Sequence, residues 1–155
     1  MDRQKYEEIK QSLGFKPAPA SSGPRVILPV RVEGNLAYVS GHVPFSGGEL
    51  LYKGRIGVDV SIEEAKKSAA LSVINCLESL DREIGLDKVD KILKVNGFLS
   101  CADHVTEHPV IMNAGSEVLI GVFGSSGEHA RAALGIHTLP LGSSTEVDMI
   151  VSLKA

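Results

Sequence analysis

Residues 61–101 read SIEEAKKSAALSVINCLESLDREIGLDKVDKILKVNGFLSC, a helix pattern that runs straight into a strand pattern. Ser61 followed three residues later by Glu64 is a capping box, and Ile62, Ala65, Ala69, Val73, Leu77, Leu80 and Ile84 recur at intervals that line one helical face. The spacing predicts a long helix over 61–84. Gly85 stops it, and Asp87 can cap one further turn. From Lys91 to Cys101 the period changes to two, with Ile92, Lys94, Asn96 and Phe98 alternating against Leu93, Val95, Gly97 and Leu99, which predicts a strand. A one-faced helix followed closely by a strand is the unit of a helix-on-sheet layer.

The same two periods recur on either side. Toward the N-terminus, Val26–Val32 and Leu36–Ser40 are β-rich runs joined by Glu33-Gly34-Asn35, a hairpin signal. Residues 41–60 hold five glycines and read as a long loop with a short ribbon at Glu49–Tyr52. Earlier still, Tyr6, Ile9 and Leu13 mark a short helix capped by Asp2, and the prolines of Phe15–Pro24 exclude helix and favour an extended strap. Toward the C-terminus, Pro109 followed by Val110, Ala114, Val118 and Phe123 predicts a second long helix ending in glycines. Two final strands, Arg131–Leu139 and Ser143–Leu153, are expected to turn on Pro140-Leu141-Gly142. The fold class is therefore α+β, a mixed, mainly antiparallel sheet of about six strands with two long helices on one face. The division expected is a helix and strap over 1–24 and one domain over 25–155. The last strand carries apolar residues on both sides, which points to a partner surface.

Composition bounds the function. A chain of 155 residues with 43% hydrophobic content can build one core, so Cys76 and Cys101 are expected as reduced thiols. Sixteen basic against 19 acidic residues give a formal charge of −3, which disfavours nucleic acid as a partner. The chain holds no apolar run of membrane-spanning length and no signal-peptide pattern, so a soluble, cytoplasmic protein without membrane association is expected. His104 and His108 stand at i, i+4, yet Pro109 follows directly and no third ligand is evident; no metal and no organic cofactor are assigned. Arg131 opens an otherwise apolar strand, where a guanidinium asks for an anion. It is either a solvated strand residue or one paired with a carboxylate of the protein. One candidate partner is Glu146, fifteen positions later and on the next expected strand. A turn at residues 140–141 would leave it about 13 Å from Arg131 along the paired strands, too far for contact within one chain.

These residues together carry a resemblance. The runs Asn35-Leu-Ala-Tyr-Val-Ser-Gly-His-Val-Pro44, the helix after Asp59-Val-Ser61, Asn113-Ala-Gly115, Val122-Phe-Gly124 to His129-Ala-Arg131, and Leu139-Pro-Leu-Gly142 to Glu146-Val147 resemble the YjgF/Rid (endoribonuclease L-PSP-like) family. The resemblance implies a chorismate-mutase-like subunit in a homotrimeric barrel, with clefts between neighbouring subunits. It implies that Arg131 binds a substrate carboxylate, that Glu146 places a water, and that Ser40, Gly41, His42 and Asn113 line the cleft. The implied reaction is cofactor-independent hydrolysis of 2-imino or enamine acids to 2-keto acids and ammonia. The alternatives are a non-catalytic protein that binds small carboxylates and, less favoured by the charge, an endoribonuclease. The chain departs from the family's deaminases at His42, where Gln is common, at Ala133, where a cysteine is common, and around Gly23-Pro24-Arg25, where a tyrosine has no clear counterpart.

Overall fold

The structure, a computed structural model, describes residues 1–19 and 22–155; residues 20 and 21 of the expected strap lie outside the described residues. The first helix, α1 (Arg3–Ser12), starts where Asp2 accepts a hydrogen bond from the Lys5 amide at 2.9 Å. It packs on the chain's own helices. Tyr6 is fully buried and donates its hydroxyl to Glu78, Arg3 pairs with Asp81 at 2.6 Å, and the Asp2 amide donates to the Val122 carbonyl at 2.7 Å.

The strands are β1 (Val30–Glu33), β2 (Leu36–His42), the ribbon pair β3 (Phe45–Ser46) and β4 (Glu49–Leu50), β5 (Val89–Ser100), β6 (Ala130–Ile136) and β7 (Thr145–Leu153). Helix α2 (Ile62–Glu83) bears the complete Ser61/Glu64 capping box, and α3 (His108–Phe123) has proline in its first turn. The main sheet has five strands in the order β1-β2-β7-β5-β6, rather than about six; the β3–β4 ribbon stands apart from it. The expected final hairpin does not form. Strand β6 pairs parallel with β5, joined to it through the α3 crossover, and β7 pairs antiparallel on the far side of β5. The chain between β6 and β7 therefore passes over the end of β5, where the Ser100 amide donates to the Ser144 carbonyl at 2.9 Å.

Central placement under the helices explains the apolar residues on one side of β7; Ile150, on the other side, lies opposite exposed Tyr38. Val147, Met149 and Val151 join Ala37, Val39, Ile92, Val95 and Leu99 beneath α2 and α3, all buried. Both long helices thus lie on one sheet face, and Tyr38 and Leu134 are exposed on the other. Close approach of α3 requires a glycine. A Cβ on Gly97 would fall 2.7 Å from the Met112 Cγ and Cε atoms. The start of β7 is pinned by hydroxyls: Ser68 Oγ lies 2.8 Å from Ser144 Oγ and 2.7 Å from Thr145 Oγ1, which is 2.9 Å from Ser72 Oγ. All four are buried, so this network fixes the register of the residue that follows, Glu146. Cys76 and Cys101 are buried free thiols, and burial pushes both thiol pKa values up. Among the described residues no helix is long and apolar enough to cross a membrane.

Candidate active site

The expected site residues fall into two groups on different parts of the sheet. The first is built by α3 and the edge strand β6. Arg131 stands opposite Val95, so its side chain turns to the helix face, where α3 crosses. Its Nη1 donates to Asn113 Oδ1 at 3.0 Å and to Ser116 Oγ at 3.1 Å, and its Nη2 donates to the Pro109 carbonyl at 3.3 Å. Every acceptor is neutral, and among the described residues Arg131 makes no ion pair. The guanidinium is held in place with its charge uncompensated. Ser116 and His129 extend the support. His129 Nδ1 lies 2.6 Å from the Gly127 carbonyl, which can only accept, so Nε2 is left to accept from Ser116 Oγ at 2.9 Å. The sequence reading missed Ser116, although it follows Asn113 by three residues, the spacing that puts two side chains on one helix face.

The second group is built by β2 and β7. Glu146 stands opposite Phe98, on the face away from the helices. Strand β2 runs two residues beyond its expected end at Ser40, because it is bulged: Val39 pairs with Met149 and His42 with Val147, so Ser40 and Gly41 together oppose Asp148. The bulge turns Gly41 toward Glu146, where an added Cβ would meet Glu146 Oε1 at 2.7 Å. Burial pushes the Glu146 carboxyl above the usual range, and the nearby Asp148 charge adds to the rise. Ser40 is tied to the segment before β1, its Oγ donating to the Leu28 carbonyl at 2.6 Å and its amide to the Pro29 carbonyl at 2.9 Å.

The bulge also turns His42 to the helix side, where both of its nitrogens are engaged. Nδ1 lies 2.6 Å from the Ser40 carbonyl and Nε2 lies 2.7 Å from Ser79 Oγ. Burial lowers the imidazole pKa, so the ring is neutral near pH 7. A cleft of about 1230 Å³ opens here between Ser40–His42, the end of α2 and the strap that includes Phe15 and Pro17. Arg25, at its edge, pairs with Glu83 at 3.2 Å. His104 precedes α3 and His108 begins it, so the two do not share a helix face.

The two groups do not meet. Strands β6 and β7 are separated by β5, and Arg131 and Glu146 stand three residues apart along it, which places their backbones roughly 14 Å apart. Their side chains leave opposite faces of the sheet.

A family described as YjgF/chorismate mutase-like, putative endoribonuclease matches residues 20–153. Protein TCP17 from Trypanosoma cruzi is 31% identical over 147 residues, 93% of this chain and 91% of that protein. The crystal structure of Atu1372, a protein of unknown function from Agrobacterium tumefaciens, is similar with a TM-score of 0.87 and 32% identity over 98% of this chain and 94% of that one. The YjgF gene product from E. coli shares the fold, with a TM-score of 0.61 and 24% identity over 88% of this chain and 94% of that one.

Proposed function

From the premise that the chain belongs to the YjgF/chorismate mutase-like family, we propose that it hydrolyses 2-imino or enamine acids to 2-keto acids and ammonia, in clefts between subunits of a homotrimer. The observation that carries this reading is the uncompensated guanidinium of Arg131, fixed by Asn113, Ser116 and the Pro109 carbonyl on an edge strand. A planar, oriented cation with no acid of its own is suited to a ligand carboxylate, which it can grip through two parallel hydrogen bonds. The open sheet face, with Tyr38 and Leu134 exposed and Glu146 half-buried, is the surface a second copy would cover. In that arrangement the Arg131 edge of one subunit faces Glu146 of the next.

With the carboxylate anchored, the adjacent C=N carbon is held near Glu146, whose raised carboxyl pKa makes it a better base than an ordinary surface glutamate. Glu146 takes a proton from water as the water oxygen adds to that carbon. That proton is returned to the nitrogen to give a carbinolamine. A second proton then passes from the new hydroxyl, through Glu146, to the nitrogen as the C=O bond forms and the C–N bond breaks, and ammonia leaves the keto acid. His42 does not act on the imine in this scheme, since its ring is turned to the helix side, away from Glu146; through the Ser40 carbonyl it holds the bulge that presents Ser40 and Gly41.

The test is ammonia and keto-acid release from 2-iminopropanoate and 2-iminobutanoate generated in situ, with Arg131→Ala beside the unaltered chain and a sedimentation measurement of mass. Acceleration lost in Arg131→Ala, with subunit assembly intact, supports the reading. An unchanged rate in the variant refutes the anchor. Saturable 2-keto-acid binding with no turnover replaces the enzyme with a carboxylate-binding protein.

A further inference from the structure

We propose that Ser79 and His42 form a nucleophile–base pair that gives the chain a second activity, acyl transfer from esters or thioesters with apolar acyl groups, in the cleft beside the N-terminal strap. Neither Arg131 nor Glu146 takes part, so this activity stands or falls separately from imine hydrolysis.

The hydrogen bonds fix the direction of proton flow. The Ser40 carbonyl can only accept, so His42 Nδ1, 2.6 Å away, carries the ring proton. Nε2 is then the acceptor, and Ser79 Oγ at 2.7 Å donates to it. A hydroxyl aimed at a base, with the base oriented by a third group, is the arrangement that activates a serine. Arg82 Nη2 donates to the same oxygen at 3.3 Å, which sets a positive charge beside an atom that becomes negative as it loses its proton. Burial keeps the imidazole in the neutral form that can receive that proton.

Position sets the substrate class. Ser79 and His42 both line the cleft of about 1230 Å³, whose strap side is formed by Phe15, Pro17, Ile27 and Pro29. The nucleophile end is polar and the facing wall is apolar, which suits an acyl chain laid against the strap with its carbonyl at Ser79. The lone pair of Ser79 Oγ adds to the acyl carbonyl carbon while the hydroxyl proton passes to His42 Nε2. Collapse of the tetrahedral adduct breaks the bond to the leaving oxygen or sulfur, which takes that proton. Water, deprotonated by the same nitrogen, then cleaves the seryl ester and restores Ser79.

The full chain is treated with a fluorophosphonate probe and read by intact mass and peptide mapping, alongside hydrolysis of p-nitrophenyl butyrate. One adduct is expected, on Ser79, with fluoride lost. Labelling and hydrolysis should both fall at least about tenfold in Ser79→Ala and in His42→Gln. Ser79→Cys keeps a nucleophile of similar size. Position 79 is itself only 4% exposed, against 6% for Cys101, so burial does not separate the two. Alkylation by iodoacetamide at position 79 ahead of Cys76 and Cys101 is expected because His42 Nε2 takes its proton, which decides the matter should Ser79→Ala not fold. No adduct on Ser79, labelling that survives His42→Gln, or a position-79 thiol no more reactive than the buried pair overturns the proposal and leaves the two residues as a brace for the bulge.

Discussion

Replacing Gly41 by alanine separates the fold from the chemistry. The Gly41 backbone is not in the left-handed region, so alanine fits its conformation and should stabilise the chain slightly, by about 0.4–1 kcal/mol, through the unfolded state. The new methyl, however, would lie 2.7 Å from Glu146 Oε1, 3.0 Å from Cδ and 3.3 Å from Cγ, about 0.7 Å short of ordinary contact at the oxygen. The obstacle is the tip of a flexible side chain on the open sheet face, so the carboxylate swings aside at little cost in stability. Displacement of a water-positioning group by this order of distance costs up to roughly a hundredfold in rate, or about 2.7 kcal/mol of transition-state stabilisation. The expected result is a melting temperature within about 3 °C of the unaltered chain, with kcat/KM for imine hydrolysis lowered by about 10–100-fold. Thermal melts followed by circular dichroism and initial rates of keto-acid release measure the two. Full activity in a folded Gly41→Ala protein would show that Glu146 does not act from this position, and loss of the fold would show that its side chain is locked.

The remaining expectations concern the supports of the site. Thr145→Val keeps the shape of the side chain but strips Ser72 of its hydrogen-bond partner and Ser68 of one of two, and should cost about 1–3 kcal/mol in a urea melt; an unchanged midpoint would mean that water serves these hydroxyls equally well. Gly97→Ala drives a methyl into Met112 and should destabilise by about 1–3 kcal/mol, since α3 cannot recede without opening the core. Asp148→Asn removes the like charge beside Glu146, so the acid limb of the kcat/KM profile should move to lower pH, toward the ordinary carboxylate range, though not reach it, because burial is the larger cause of the rise. The sign for stability follows from the same shift. A carboxyl with a raised pKa in the fold holds its proton longer than in the unfolded chain, so Glu146 makes stability fall as pH rises from the unfolded carboxyl value through the folded one. In Asp148→Asn that loss should shrink in urea melts across the window.

Local signals were legible and non-local ones were not. Helix α2 follows from its capping box and apolar spacing because caps and periodicity act within a few residues, and the structure starts it at Ile62 behind Ser61. The Pro140-Leu141-Gly142 signal was equally local and does turn the chain, but a turn does not specify which strand lies beside the next. Here β5 occupies the place expected for β7. The informative residues were the apolar ones on the core side of β7, Val147, Met149 and Val151, which fit a central strand, whereas Ile150 lies on the face the helices leave open. The facing of His42, though not the residue itself, escaped for a related reason. A strand glycine such as Gly41 is a recognised sign of a bulge, yet the face to which a bulge turns the next side chain depends on the partner strand. Ser79, on the neighbouring helix, could not be linked to His42 from spacing alone.

The separation of Arg131 and Glu146 shows which conclusions survive an error of register. The expected hairpin put them about 13 Å apart on neighbouring strands, and the observed sheet puts them roughly 14 Å apart with a strand between. Either distance prevents one small substrate from touching both within a chain. Distance is insensitive to the error because sheet spacing and strand rise are similar in scale, so exchanging one step for the other changes little. Facing is sensitive to it, since side chains alternate and the pairing partner decides which side each one leaves. Arg131 facing α3 beside Asn113 and Ser116, and Glu146 facing the uncovered side beside Gly41, follow only from the observed pairings with Val95 and Phe98. On the proposed reading this turns a separation into a requirement. The edge strand of one copy must meet the open face of another before a carboxylate anchor and a water-positioning acid can serve one substrate.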